Sequence, residues 1–99
     1  MSKRTKQRTI YIAEGCGGCE TVLDAIKEDK SFQVKDILED NQALLEWLAG
    51  MPDDQRQVPV LQDDRGMHAI EEIVEGECII VRDSRTGRRR CSRICRKKK

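Results

Sequence analysis

The stretch "TIYIAEGCGGCETVLDAI", residues 9–26, decides how the chain is read. It opens with a short β-branched and aromatic run, Thr9 to Ala13, that suits a buried strand. "EGCGG" breaks it. Cys19, Val22, Leu23 and Ile26 then recur at i, i+3, i+4 and i+7, one face of a helix. Cys16 and Cys19 therefore fall where a strand gives way to a helix, with Gly17 and Gly18 between them. Taken alone, this C-x-x-C leaves three readings open: half of a metal site, a redox pair, or two unreactive thiols at a turn.

Outward from it the pattern continues in short elements. "SFQVKDI" alternates Phe32 and Val34 with polar residues and predicts a second strand. Asp40 or Asn41 can cap a second helix, with Leu44, Leu45 and Leu48 on its inner face, Trp47 on its flank and Gly50 as a stop signal. "MPDDQRQ" is a loop. "VPVLQDD" predicts a strand with Pro59 near its start, where strands tolerate proline. "DRG" turns it back, and "MHAIEEIV", readable as strand or helix, is taken as the partner strand. "ECIIVRDSRTGRRRCSRI" predicts a further hairpin with "SRTG" as its turn.

Ninety-nine residues suit one small domain with one modest core. No apolar run reaches the roughly 18 residues of a membrane span. The basic opening "MSKRTKQRTIYIAEG" carries no apolar signal segment, so a cytoplasmic setting without membrane contact is expected. There, five cysteines point to catalytic, metal-binding or free thiols rather than a disulfide framework, and the odd count leaves at least one unpaired in a monomer.

The formal charge of +1 hides a strong segregation. Residues 1–8 hold four bases and no acid, residues 9–81 hold 17 acids and five bases, and residues 82–99 hold ten bases and one acid. The expected organisation is a basic arm over 1–8, a domain over 9–75, a hairpin-like segment over 76–94 and a basic tail over 95–99. "RRRCSRICRKKK" packs Arg88, Arg89, Arg90, Arg93, Arg96, Lys97, Lys98 and Lys99 into twelve residues. Such a run binds nucleic acid or an acidic partner by counterion release, without sequence preference because aromatic residues are absent. The alternative is a solvated tail, folded back on the acidic body.

The order strand, C-x-x-C, helix, strand, helix, Val-Pro-strand resembles that of the glutaredoxin/thioredoxin-like family. "YIAEGCGGC" is similar to the glutaredoxin motif, in which a tyrosine precedes C-x-x-C by five residues. "QVPVL" is similar to that family's Thr-Val-Pro, whose proline is cis and faces the cysteine pair. The resemblance covers about residues 8–75. It implies an α/β, thioredoxin-like (glutaredoxin-type) fold, a central mixed β-sheet flanked by helices, here with the extra C-terminal hairpin-like segment. It also implies a thiol–disulfide oxidoreductase that reduces protein disulfides, ribonucleotide reductase being one substrate of such proteins. Cys16 would be the nucleophile, Cys19 the resolving thiol, and Tyr11, Val58 and Pro59 the substrate-docking edge.

No metal or organic cofactor is required by that chemistry. Electrons would come from glutathione or from a thioredoxin-reductase-type flavoprotein. Three departures bear on the choice: Ala13 replaces the family's lysine, glycines replace the Pro-Tyr inside the motif, and no Gly-Gly-x-Asp segment follows the second hairpin strand.

The physics of the spacing agrees with a redox pair. A cysteine just before a helix meets unpaired backbone N–H groups and the positive dipole end, which stabilise its thiolate. One turn on, Cys19 is placed to resolve a mixed disulfide. Gly17 and Gly18 let the backbone bend. Glu14 and Glu20 oppose thiolate formation by their charge. A zinc reading needs Cys91 and Cys95 as further ligands, at a C-x3-C spacing unlike the common knuckle.

Pairing Asp83 with Arg88 across "SRTG" sets Ile80 opposite Cys91 and Cys78 opposite Arg93, with Cys78 diagonal to Cys91. Cys78, Cys91 and Cys95 are then either small apolar packing groups or the source of an accessory disulfide, Cys78–Cys91 or Cys91–Cys95. The lone histidine, His68, is expected to be exposed or partly packed rather than a catalytic base.

Overall fold

A computed structural model describes residues 8–27, 29, 31–74 and 77–94. Most of the expected basic arm and all of the 95–99 tail, with Cys95, Arg96, Lys97, Lys98 and Lys99, lie outside the described residues. The elements run β1 (Arg8–Ile12), α1 (Gly17–Ile26), β2 (Phe32–Asp36), α2 (Asn41–Gly50), a 3-10 turn at Asp53–Gln55, β3 (Val60–Asp63), β4 (Gly66–Val74), β5 (Cys78–Arg82) and β6 (Arg89–Arg93). The class is α/β, a mixed six-stranded sheet in the order β2-β1-β3-β4-β5-β6 with two helices. β1 and β2 are parallel and every other pair is antiparallel. No described helix is long and apolar enough to cross a membrane.

Alternation along β1 sends Ile10 to one face of the sheet and Tyr11 to the other, and each joins a separate core. Ile10, Leu61, Ile70, Ile79 and Val81 meet Val22 and Ile26 of α1, with Phe32 and Ile94. Tyr11, Val60 and Met67 meet Ala43 of α2, with Ile37 and Met51. Full burial of one such aliphatic side chain contributes about 1.5–3 kcal/mol. Asp40 caps α2 by accepting from the Gln42 and Ala43 amides.

The inner face of α2 differs from the expected leucine stripe. Ala43 is buried, Leu44 and Trp47 pack beside it, and Leu45 is 62% exposed. Positions 43, 44, 47 and 51 form the stripe that faces the sheet, and a reading weighted by leucine content placed the face about one residue off. Val34 is also more exposed than Phe32, because β2 is an edge strand.

The far half of the sheet is strongly coiled. Four strand spacings separate β1 from β6, roughly 19 Å in a flat sheet. Yet Arg8 Nη1 donates to Ser92 Oγ at 2.9 Å and to the Arg93 carbonyl at 2.6 Å. The register shift between Ile70 and Glu72 supplies a bulge, the usual device for bending a strand. β5 and β6 thereby bring Ile79, Val81 and Ile94 into the core that α1 covers. The Arg8 guanidinium also lies 4.0 Å from the centre of the Phe32 ring.

The "SRTG" turn forms as the spacing predicts. Asp83 and Arg88 pair, Asp83 N–H donating to the Arg88 carbonyl at 2.8 Å, and Gly87 takes φ +77°. His68 departs from expectation, being fully buried. Ser84 N–H donates to its Nδ1 at 3.1 Å, so Nε2 carries the proton and donates to Asp63 Oδ1 at 3.0 Å. Arg90 bridges Asp63 Oδ2 at 3.1 Å and Asp83 Oδ2 at 3.3 Å. This network ties the β5–β6 turn to the β3–β4 hairpin.

Two outcomes follow from the network. His68→Ala removes the acceptor of the Ser84 amide and one partner of the Asp63 carboxylate, which keeps Arg90 and the Arg65 amide, and should cost about 1–3 kcal/mol in urea unfolding. The second concerns acid. The Arg85 amide, then the Thr86 amide and the Arg90 charge, hold the Asp83 carboxyl below the usual carboxylate range against the opposing pull of burial. Because the folded-state value is depressed, its contribution is full above the unfolded value and is lost as pH falls through the folded one. Unfolding midpoints should therefore drop below about pH 4, and Asp83→Asn should flatten that part of the profile.

Candidate active site at Cys16 and Cys19

β1 ends at Ile12 and α1 begins at Gly17. The turn between them requires glycine at one place, Gly15, whose φ is +86°. Gly17 and Gly18, expected to ease the bend, have no left-handed backbone. A Cβ at Gly17 would meet nothing within 4 Å, and one at Gly18 would stand 3.6 Å from Pro59 Cδ in ordinary contact. Their effect is to leave the first two positions of α1 without side chains.

Cys16 is the N-cap residue of α1, with extended backbone angles (φ −95°, ψ 113°). Its Sγ accepts the Cys19 N–H at 3.1 Å, taking the place a Ser or Asp oxygen usually fills. Cys16 and Cys19 form a disulfide with a Cα–Cα distance of 5.3 Å. Cys19 is 2% exposed, whereas Cys16 is half-buried and faces outward. An incoming group therefore meets the Cys16 sulfur first.

The Val58–Pro59 peptide is cis, as the resemblance implies. The Val58 carbonyl oxygen lies 3.8 Å from Cys16 Sγ, and the Pro59 carbonyl accepts the Ile70 N–H at 3.3 Å. Val58 precedes β3, and among the described residues its N–H donates to no other group. A groove of about 270 Å³ runs from this edge, between Gly18, Thr21 and Val22 of α1, Pro59, and Ile70 and Ile73 of β4, with Glu71 and Glu72 also lining it. Its apolar walls suit the side chains of an extended segment.

Tyr11, expected at the docking edge, lies elsewhere. Its ring is 1% exposed in the core beneath α2. Its hydroxyl donates to Glu46 Oε1 at 3.0 Å and stands 2.9 Å from the Gln62 amide. Burial, and then the Glu46 carboxylate, push its phenol up. Strand alternation gives the reason: the neighbour of Ile10 must face away from α1, and so away from the helix that Cys16 caps. Lys35 joins the same cluster, 3.0 Å from Glu46.

The basic segment is partly structured and partly neutralised. Arg89 and Arg90 lie in β6. Arg89 pairs with Glu71 and Glu72, and Arg90 with Asp63 and Asp83. Arg88 and Arg93 are exposed.

The expected register of β5 and β6 is present, with Ile80 opposite Cys91 and Cys78 opposite Arg93. Cys78 and Cys91 form the diagonal disulfide. Cys78 is buried and Cys91 exposed. Among the described residues no group of three or more His, Cys, Asp or Glu side chains could hold a metal ion.

One constellation was missed in sequence. Ser84, His68 and Asp63 are hydrogen-bonded in series, Ser84 Oγ lying 3.4 Å from His68 Nδ1. These are the residue types of a hydrolytic triad. Here Nδ1 already takes the Ser84 amide, and Asp63 is also engaged by Arg90, so the arrangement is that of a turn anchor. No family model, curated protein or solved structure matches the chain.

The Cys78–Cys91 bridge closes a loop with a sequence separation of 13, and loops of that size are stabilised by about 3 kcal/mol. Cys91→Ser should lose about that amount in denaturant melts of the oxidised protein. With a reductant present, variant and parent should unfold within a few tenths of a kcal/mol of each other.

Proposed function

We propose that the protein is a dithiol oxidoreductase of the glutaredoxin/thioredoxin-like kind, acting on protein disulfides through Cys16 and Cys19. The observation that carries the reading is the cap. The sulfur of half-buried Cys16 accepts the Cys19 amide in the first turn of a helix and faces an open backbone edge at Val58. The order of the first four strands, β2-β1-β3-β4 with α1 and α2 on opposite faces, adds support, as does the cis Val58–Pro59 peptide.

In the reduced protein the Cys16 thiolate attacks one sulfur of a substrate disulfide. A mixed disulfide forms and the other substrate sulfur leaves as a thiolate. Cys19, deprotonated, then attacks Cys16 Sγ. The Cys16–Cys19 bond forms and the second substrate thiolate departs, so the substrate gains two electrons and, from solvent, two protons. The disulfide-bonded site is the product of this half-reaction. The dithiol of a thioredoxin-reductase-type flavoprotein, or two molecules of glutathione that leave as glutathione disulfide, returns it to the dithiol. The Cys19 N–H favours the attacking state, because an amide bonds a thiolate more strongly than a neutral sulfur.

A second reading treats the chain as an interaction module docked through its basic ends. Exposed Arg88 and Arg93 favour it, while the pairing of Arg89 and Arg90 removes two of its cations.

Reduction of a small chromogenic disulfide tests the first reading. Cys16→Ser should fall to the uncatalysed background. Cys19→Ser should keep the first step and accumulate a mixed disulfide visible by mass spectrometry. Cys16→Ser with parental activity would refute the mechanism. The couple's potential then sets direction, near −270 mV for a reductant and near −120 mV for an oxidant, both as rough guides.

A further inference from the structure

The charges around the disulfide point to the class of substrate it takes. Glu14 stands two residues before Cys16 and Glu20 one residue after Cys19. Both are exposed, and among the described residues neither makes an ion pair or a side-chain hydrogen bond. Most other carboxylates of this face are engaged. Glu71 is held by Arg82 and Arg89, Glu72 by Arg89, and Asp24 by Lys27. The Glu71–Glu72–Arg82–Arg89 cluster beside the groove is neutral as a unit. Of the described carboxylates without an ion pair, Glu14 and Glu20 are the ones that flank Cys16 and Cys19 along the chain.

No described lysine or arginine lines the groove between α1, Pro59 and β4. Cys16 Sγ takes the Cys19 amide in the first turn of α1. Glu20, in the first turn of α1, has a structural reason to be acidic, since it complements the helix dipole. Glu14 lies before the cap and has no such reason.

Resting on the redox reading above, we propose that Glu14 and Glu20 select disulfides flanked by basic residues and reject anionic ones, oxidised glutathione included. An approaching segment lays an apolar side chain in the groove, while its Lys or Arg lies near one of the two carboxylates. A thiol tripeptide of net negative charge meets the same two carboxylates, and no described guanidinium or ammonium lines the groove to receive its own. The preference is electrostatic, so it acts on encounter and is screened by salt.

The test uses the reduced full-length chain and three short peptide disulfides that differ only beside the cysteine, with Arg, Ala or Glu, plus oxidised glutathione. Second-order rates of disulfide reduction are read at low salt and at high salt. The Arg peptide should react on the order of tenfold faster than the Glu peptide at low salt. Glutathione disulfide should group with the Glu peptide, and the ratio should approach unity near ~0.5 M salt.

Glu14→Gln combined with Glu20→Gln should abolish the ratio. Those changes also alter the reactivity of the Cys16 thiolate, but that scales all four substrates together and leaves the ratio untouched. Equal rates across the parental series, or a ratio that survives the double substitution, overturns the proposal while leaving the redox reading in place. Failure to reduce any of the four removes the redox reading itself.

Discussion

The bond from the Cys19 amide to Cys16 Sγ joins fold and chemistry in one contact. Without a cap, α1 would begin with unpaired donors, and cysteine is not among the residues usually chosen to cap. A thiolate changes that. It brings a full charge to the positive end of the helix and accepts the amide as a charged partner. Forming the disulfide removes the charge and weakens the cap, so the oxidation state of the pair and the order of the first turn are linked. The same turn carries Val22 and Ile26 into the main core. The position of the sulfur is therefore fixed by the packing of the helix behind it, with the Val58 carbonyl 3.8 Å away.

That core is completed in part by the sheet itself. α1 covers only part of its face, and the remainder is filled from the sheet itself. The bulge at Ile70/Glu72 bends β4, and β5 and β6 deliver Ile79, Val81 and Ile94. Two covalent or charged ties hold the bend. Arg8 reaches from β1 to Ser92 and Arg93, and the Cys78–Cys91 bridge locks the outermost pair of strands. An edge strand such as β6 is a pairing hazard when left bare. Its arginines protect it: Arg89 and Arg90 are tied to acids of β3, β4 and the β5–β6 turn, and Arg93 is exposed.

Much of this was legible from residue spacing. Period-2 and period-3.6 patterns located β1, α1 and β3, and the turn chemistry of "SRTG" set a register that placed Cys78 diagonal to Cys91. Three readings failed for identifiable reasons. Tyr11 was assigned by its distance from C-x-x-C, but strand alternation sends it to the α2 side. The inner face of α2 follows Ala43 and Trp47, whose volumes fit the space left by Met51 and Val60, and not the more hydrophobic Leu45. His68 looked like a surface residue because its partners, Asp63, Ser84 and Arg90, converge only after two hairpins are folded side by side. Contacts between hairpins leave no periodic mark in the sequence.

Segregation of charge along the chain takes on a different meaning once the strands are paired. In sequence it looks like an acidic body with basic arms. In space the basic residues of 82–93 interleave with the acids of β3 and β4: Arg82 and Arg89 on Glu71, Arg90 on Asp63. Exposed pairs of this kind each contribute little. Their shared effect is selective neutralisation, because the acids that acquire arginine partners lie along the hairpin strands. Glu14 and Glu20, on the turn and helix that carry the sulfur, are out of reach of that interleaving. Strand pairing thus decides which acids are neutralised, and Glu14 and Glu20, like Glu39, Asp54 and Glu77, are among the described carboxylates it leaves without an ion pair.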